Sequence, residues 1–416
     1  MAELAMNRVD RGAVPDAKLM RERGVPTYPE VAGLREDRRQ RLRVALVAGA
    51  LSRGGAEKQI FYMAQSLAAL GVSVRVYSVT RGESYEAKLQ AMGIPVYWFG
   101  RSKIPIVRMA TLANLLKPYR PHVIQSGHTF TNLYAAAVGR WLNIMSLGAQ
   151  RSDWSHTRER SGLWTYPLMR MPSAVIANSE KARLELTNRH ILKPESVRVL
   201  SNAIDLSEYA ARTDAVASAA AGREPAAVFV ARLIAVKRLD RFLRALALAS
   251  RQVPALRGIV VGDGPERKPM QQLARELGLS SRVEFLGERD DVSALLRKAR
   301  FLVLSSDREG TPNVILEAMA TALPVITTPV GDAATIVLDG VTGYVVGYDD
   351  IQGMAARMVE LAQSPQLCRQ LGDAGRERAR QRHGLDGLGD RLLAIYRDIA
   401  RQQNIHQVLQ LIPEHV

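Results

Sequence analysis

The strongest constraint on this chain is an alternation of two patterns that runs twice along it. Residues 42–48 (LRVALVA) form a short, continuous apolar run, the signature of a strand buried on both faces of a parallel sheet. Residues 56–70 then place Ile60, Met63, Ala64 and Leu67 at helical spacing, and Gly71 suits the position just beyond the helix. The same reading predicts strands at 72–79, 94–99, 122–125, 144–149 and 174–177, with helices at 85–92, 106–116 and 131–138. The alternation stops at 210–225, a stretch rich in alanine and poor in aromatic residues, which reads as a linker. It then restarts, with strands expected at 227–231, 258–261, 283–286, 301–304 and 324–327 and helices at 239–249, 270–277, 292–299 and 312–321.

Strand and helix in strict alternation mean a parallel sheet covered by helices on both faces. The expected fold is therefore α/β, with two tandem Rossmann-like domains and a cleft between them. The first domain is expected over 41–210 and the second over 225–382, with a helical tail at 383–416. Residues 1–40 are charged and broken by Pro15, Gly24, Pro26 and Pro29, and read as a flexible or loosely docked extension. In doubly wound sheets ligands bind beyond the carboxyl ends of the strands, so the site is expected in the cleft.

Several classes are disfavoured at once. No apolar run reaches the roughly 18–20 residues needed to span a bilayer, and Asp10, Arg11, Asp16 and Lys18 interrupt any signal-peptide core. Cys368 is the single cysteine, so it has no partner for an internal disulfide or a cysteine-based metal site. A cytoplasmic location is expected. The formal net charge of +16 suits nucleic acid, an anionic membrane or phosphorylated small molecules. No zinc spacing or RNA-binding aromatic motif supports nucleic acid. Plain arginine-rich composition accounts for the same excess.

The most informative stretch is DREGTPNVILEAMAT, residues 307–321. A strand ends just before it, Thr311 is placed to cap the following helix, and Pro312 suits its first turn. The helix start then turns free N–H groups toward the cleft, an anion site. Glu309 precedes that start and Glu317 lies about two turns in, where carboxylates can grip sugar and ribose hydroxyls. Read alone, the stretch is equally a capped amphipathic helix with two solvated glutamates. Arg232 and Lys237 follow the first strand of the second domain and can meet a diphosphate, the arginine as a fork and the lysine as a point charge. Read alone, they are two surface cations. The turn Gly262–Glu266 follows a strand and lets a backbone approach a ligand. Gly54 and Gly55 stand in the first strand-to-helix turn, in a sequence that is neither GxGxxG nor a P-loop, which disfavours dehydrogenases and P-loop enzymes. His128 follows the strand at 122–125, where the first sheet opens to the cleft. The other histidines show no metal spacing. No Asp-x-Asp triplet occurs in the chain, so the usual carboxylate pair for a metal-bridged diphosphate is missing.

Taken in order, these segments resemble glycosyltransferase family 4, over about residues 43 to 382. The E-x7-E motif stands as Glu309-GTPNVIL-Glu317, with GGAEK at 54–58, SNAID at 201–205, ARLIAVK at 231–237, VGDGPE at 261–266 and DGVTGYVV at 339–346. The resemblance implies the GT-B architecture and a retaining transfer of a hexose-type sugar from a nucleotide-diphosphate-sugar donor, with no cofactor and no metal. By resemblance, Arg232 and Lys237 hold the donor diphosphate. Glu309 contacts the transferred sugar and Glu317 the ribose. Gly310, Thr311, Pro312, Asn313 and Val314 line the sugar and phosphate site through their backbone. Gly55, with Gly54 beside it, meets the diphosphate on closure, the backbone from Leu286 to Arg289 meets the base, and His128 lies beside the reacting sugar. Two segments depart from the family pattern. Gly331-Asp332-Ala333-Ala334-Thr335 has no carboxylate at 335, and SNAID replaces the commoner Asn-Gly-Val-Asp.

The expected partners are the nucleotide-sugar, a saccharide or lipid-linked acceptor of cell-surface polysaccharide synthesis, and an anionic membrane surface that would make the protein peripheral. Residues 104–120 and 154–171 mix apolar residues with Arg108, Lys117, Arg120 and Trp164, and are the expected membrane contacts. Ordinary helices with solvated basic faces read the same way. Two rivals remain: a nucleotide-sugar epimerase of the same two-domain shape, and a non-catalytic nucleotide-binding scaffold.

Overall fold

The structure, a computed structural model, describes residues 41–52, 54–151, 154–209 and 225–412. The extension at 1–40 and all of the linker but its last residue lie outside the described residues. Two parallel sheets carry the fold. The first contains β1 (Arg43–Ala48), β2 (Ser73–Ser78), β3 (Val96–Trp98), β4 (Val123–Ser126), β5 (Met145–Gln150), β6 (Ala174–Ala177) and β7 (Val197–Val199), in the order β3-β2-β1-β4-β5-β6-β7. The second contains β8 (Ala226–Val230), β9 (Arg257–Val261), β10 (Val283–Gly287), β11 (Phe301–Leu304), β12 (Val325–Thr327) and β13 (Gly343–Val345), in the order β10-β9-β8-β11-β12-β13. The fold is thus two Rossmann-like domains in tandem.

The strands form where continuous apolar runs let both faces be covered. Val44, Val47, Val228 and Phe229 are fully buried. Strand order reverses between β1 and β4 in the first sheet and between β8 and β11 in the second. A crevice opens beyond the carboxyl ends of the strands at such a switch point. The residues just past those ends are Gly49, Gly127 and His128 in the first domain, and Ala231, Arg232 and the loop from Ser305 in the second.

The carboxyl-terminal segment does not stay with the domain that precedes it. The helix Pro365–His383 closes the second domain, and at Gly384 the chain bridges back to Ile204. The helix Leu388–Gln402 then buries Leu392, Leu393, Tyr396 and Ile399 in the core of the first domain, together with Ile60, Met63 and Leu67. The Tyr396 hydroxyl donates to Gln125 Oε1 at 2.5 Å, and Gln125 Nε2 donates to Met63 Sδ at 3.3 Å. The expected helical tail is therefore part of the first domain by packing. Among the described residues no helix is long and apolar enough to cross a membrane.

Truncating Leu392, fully buried although it follows the whole second domain in sequence, tests this packing. Leu392→Ala should cost about 2–5 kcal/mol. All four tryptophans (98, 141, 154 and 164) belong to the first domain, so urea denaturation followed by their fluorescence reads the loss where it should occur. An unchanged midpoint would show that the helix only rests on the surface.

Candidate active site

The wall supplied by the second domain is built from two loops that hold each other. The loop after β11 bonds to the loop after β8 through Asp307 N to Val236 O (2.9 Å) and Ser305 Oγ to Arg238 O (2.8 Å). Arg241, only 3% exposed, donates to Ser305 O at 3.1 Å, Asp307 Oδ1 at 2.5 Å and Asp349 Oδ1 at 2.8 Å. Arg238 is held at φ +51°, a left-handed backbone uncommon for a residue with a side chain, and its guanidinium bonds to Asp240 and Asp307. The VGDGPE turn supports the same loop, since Leu233 N donates to Asp263 O at 2.8 Å and Glu266 N to Leu233 O at 3.0 Å. The result is that Lys237 Nζ meets Glu309 Oε1 at 2.5 Å, with Ser306 Oγ donating to the same oxygen at 2.8 Å.

The helix of the E-x7-E motif runs Asn313–Ala320, with Pro312 at its N-cap. Thr311 does not cap it, contrary to the sequence expectation. Its hydroxyl donates instead to Asn178 O, in the first domain, at 2.8 Å. The first-turn N–H groups are therefore left without a side-chain cap, as an anion site requires.

The first domain supplies the opposite wall. Gly49 N donates to His128 Nδ1 at 3.1 Å, so the ring proton belongs on Nε2, which lies 3.2 Å from Glu57 Oε1. Burial, the largest single influence, pushes the Glu57 carboxyl up, but the His128 hydrogen bond and charge, with a backbone hydrogen bond, together leave the group below its ordinary value. Lys58 Nζ stands 3.5 Å from Glu317 Oε1 and 3.2 Å from Glu208 Oε2, and donates to the Tyr209 hydroxyl at 2.7 Å. Burial first, then the Glu317 carboxylate, hold the Tyr209 phenol in its neutral form.

Small residues let the walls touch. A Cβ on Gly55 would lie 2.4 Å from Asn313 Nδ2, and one on Gly310 would lie 2.6 Å from Arg151 O. Asn202 Nδ2 donates to Asn313 Oδ1 at 2.7 Å, and Arg308 pairs with Glu159 at 2.7 Å. Between the walls lies a cavity of about 280 Å³.

The structure brings most of the expected site together. Gly55, Lys237, Glu309, Gly310, Thr311, Pro312, Asn313 and Val314 all line the cavity. Arg232 is exposed, follows Ala231 of the lining, and has no ion pair among the described residues. Glu317 and His128 lie outside the lining, each paired with a residue of the first domain's GGAEK segment. Gly54 caps the helix Gly55–Ala69. Leu286 is half-buried in the edge strand β10 and does not line the cavity, while the neighbouring Gly287 carbonyl is taken by Gly262 N at 2.7 Å. Sequence reasoning missed Arg151, Asn178 and Asn202, which line the cavity, and Glu57 and Lys58, which hold its flanks. Arg151 and Asn178 are the first residues past β5 and β6, so the strand-end rule that found His128 would have found them too. Among the described residues no group of three or more His, Cys, Asp or Glu gathers as a metal set would.

Comparison with known proteins agrees with this geometry. A family model described as Glycosyltransferase Family 4 matches residues 53–208, and one described as Glycosyl transferases group 1 matches residues 211–378. The chain is 34% identical over 166 residues to N-acetyl-alpha-D-glucosaminyl L-malate synthase of Bacillus anthracis, covering 40% of this chain and 43% of that protein. It is 31% identical over 238 residues to D-inositol 3-phosphate glycosyltransferase of Saccharomonospora viridis, covering 54% of this chain and 55% of that protein. The matched segments thus span only about half the length of these relatives. In fold it resembles Anabaena HepE in complex with UDP, with TM-score 0.74 and 20% identity, covering 85% of this chain and 99% of HepE. HepE in complex with UDP-glucose matches with TM-score 0.73 and 21% identity, over 88% of this chain and 100% of HepE.

One carboxyl beside the cavity gives a pH signature. Asp332 N donates to Gly310 O at 3.1 Å, and burial pushes the Asp332 carboxyl up to about 6. The folded protein therefore holds this proton more tightly than the unfolded chain does. Its stabilising contribution is complete below the unfolded value near 3.8 and is lost as pH rises through about 6. Asp332→Asn should gain stability relative to the wild type between pH 4 and pH 7, a window set by those two values. Denaturation midpoints measured across that range check this, and parallel curves would refute it.

Proposed function

The chain belongs to the family 4 type of glycosyltransferases, and from that premise we propose that it transfers a hexose-type sugar from a nucleotide-diphosphate-sugar to an acceptor hydroxyl in polysaccharide biosynthesis. The anomeric configuration is retained, and no metal ion takes part. The observation that carries this reading is the Lys237–Glu309 pair, set at the uncapped start of a helix and facing a wall from the other domain. The complexes of HepE with UDP and UDP-glucose support a nucleotide-sugar as the donor class.

In this mechanism Arg232, Lys237 and the first-turn N–H groups neutralise the leaving diphosphate, the task a divalent ion performs elsewhere. Glu309 accepts hydrogen bonds from the sugar hydroxyls, and Glu317 from the ribose. The acceptor hydroxyl attacks from the face the nucleotide leaves, through an oxocarbenium-like state. The departing phosphate oxygen takes the acceptor proton, so rate comes from charge stabilisation rather than a protein nucleophile. The Glu57–His128 pair flanks the acceptor side and keeps the imidazole oriented.

The acceptor is a saccharide or a lipid-linked saccharide presented at an anionic membrane. Ile106 is 68% exposed, Trp141 60% and Trp164 76%, with Lys117 over the Trp141 ring at 5.5 Å, which supports interfacial contact.

Turnover tests the chemistry. Arg232→Ala should lower kcat by about 10²-fold or more, by analogy with loss of a single oxyanion donor. EDTA should leave the rate unchanged, and NMR of the product should show the donor's anomeric configuration. A near-wild-type kcat, or inversion, would reject the assignment. Flotation with phosphatidylglycerol vesicles at low salt tests the membrane contact, and no binding would remove it.

A further inference from the structure

Arg151 is the anomaly of the cleft. It is the first residue beyond β5, it lines the cavity, and its carbonyl accepts from Asn178 Nδ2 at 3.3 Å. Its guanidinium meets no carboxylate among the described residues. The contact it makes is a weak one, from a terminal nitrogen to Met63 Sδ at 3.9 Å, and its Nε is buried with no hydrogen-bond partner. Burial alone pushes the group down to about 10, so at neutral pH it still carries its charge. Arg151 as a whole is half-buried, but a cation withdrawn from water without a counter-ion is costly, and such charges are ordinarily paired.

The other charged groups of the cleft do not supply the missing anion. Glu309 is taken by Lys237, Glu317 by Lys58 and Glu57 by His128. The donor diphosphate, on the reading above, is met by Arg232, Lys237 and the helix start, all in the second domain. Arg151 stands on the first domain's wall, with its backbone against Gly310. Its planar fork suits a carboxylate or a phosphate.

We infer that Arg151 receives an anionic group, phosphate or carboxylate, carried by the acceptor. This rests on the transfer reading, and it narrows the acceptor from any hydroxyl-bearing saccharide to a charged one: a sugar phosphate, a uronic acid or a diphosphate-linked sugar. Arg151 then selects the acceptor and fixes its depth in the cleft.

The test is thermal melting of the full chain with UDP held at saturation, so that the donor phosphates are occupied. Inorganic phosphate or glucose 6-phosphate should then raise the wild-type Tm further, because a ligand that binds only the folded state stabilises it. Glucose should not. Arg151→Gln should bind phosphate at least 10-fold more weakly, keep the UDP shift, and melt no lower than the wild type, since it removes an uncompensated charge. Arg151→Lys should keep part of the phosphate shift. Equal phosphate shifts in wild type and Arg151→Gln would overturn the assignment, as would loss of the UDP shift in the variant. Protection that depends on Arg151 with UDP-glucuronate, but not with phosphate, would move the anion to the donor sugar and overturn the acceptor reading. If UDP fails to shift the wild type, the donor reading fails by itself, and phosphate protection lost in Arg151→Gln still upholds the anion site.

Discussion

Arg241 sits almost wholly buried where the loops after β8 and β11 meet, and the second domain's wall depends on what it holds. One guanidinium spans the Ser305 carbonyl and the carboxylates of Asp307 and Asp349, so the two loops share a single rigid anchor. The left-handed turn at Arg238 is tolerated because its own side chain bonds on both sides of it. Lys237 and Glu309 lie in the loops after two strands that are neighbours in the sheet, some seventy residues apart in sequence, and that anchor holds the two loops together. A planar, multidentate donor can do this and a lysine ammonium cannot.

The two domains are joined by contacts of different character. Near the cavity they meet through Asn178, Asn202, Asn313 and Thr311, whose hydrogen bonds exchange readily for water and contribute only about 0.5–1.5 kcal/mol each. Away from it, the returning helix Leu388–Gln402 binds the end of the chain into the first domain's core through fully buried apolar side chains. The chain end is thus held by apolar packing, and the polar wall-to-wall contacts are the replaceable ones. That division suits a site which must admit a large substrate and then exclude water around it.

Most of the architecture was legible because buried parallel strands are continuous apolar runs, and β1, β8 and β11 stand out on that ground. The strands β7 (VRV) and β13 (GYV) were not, since each has three residues and contains an arginine or a glycine, so neither makes a run. The site was legible where a motif fixes spacing, as at Glu309 and Glu317. It failed where the partner is distant. Thr311 reads locally as a cap, but a carbonyl 133 residues away in sequence claims its hydroxyl. Arg151 was hidden for another reason. Among 57 lysines and arginines a single arginine carries no signal, and what distinguishes it is a missing partner, which appears only when burial is known.

Charge pairing across the cleft gives these residues a common logic. Three carboxylates, Glu57, Glu309 and Glu317, each have a cationic or imidazole partner at 2.5–3.5 Å. Arg151, in the first domain's lining, and Arg232, exposed just past the lining residue Ala231 in the second, have no ion-pair partner among the described residues. On the proposed transfer reading, those two guanidiniums are the groups left for substrate anions to meet. A neutral acceptor would leave the Arg151 charge unsatisfied. Substrates that bring negative charge to both walls would complete the pairing. The electrostatic balance of the site then belongs to the ternary complex rather than to the free protein.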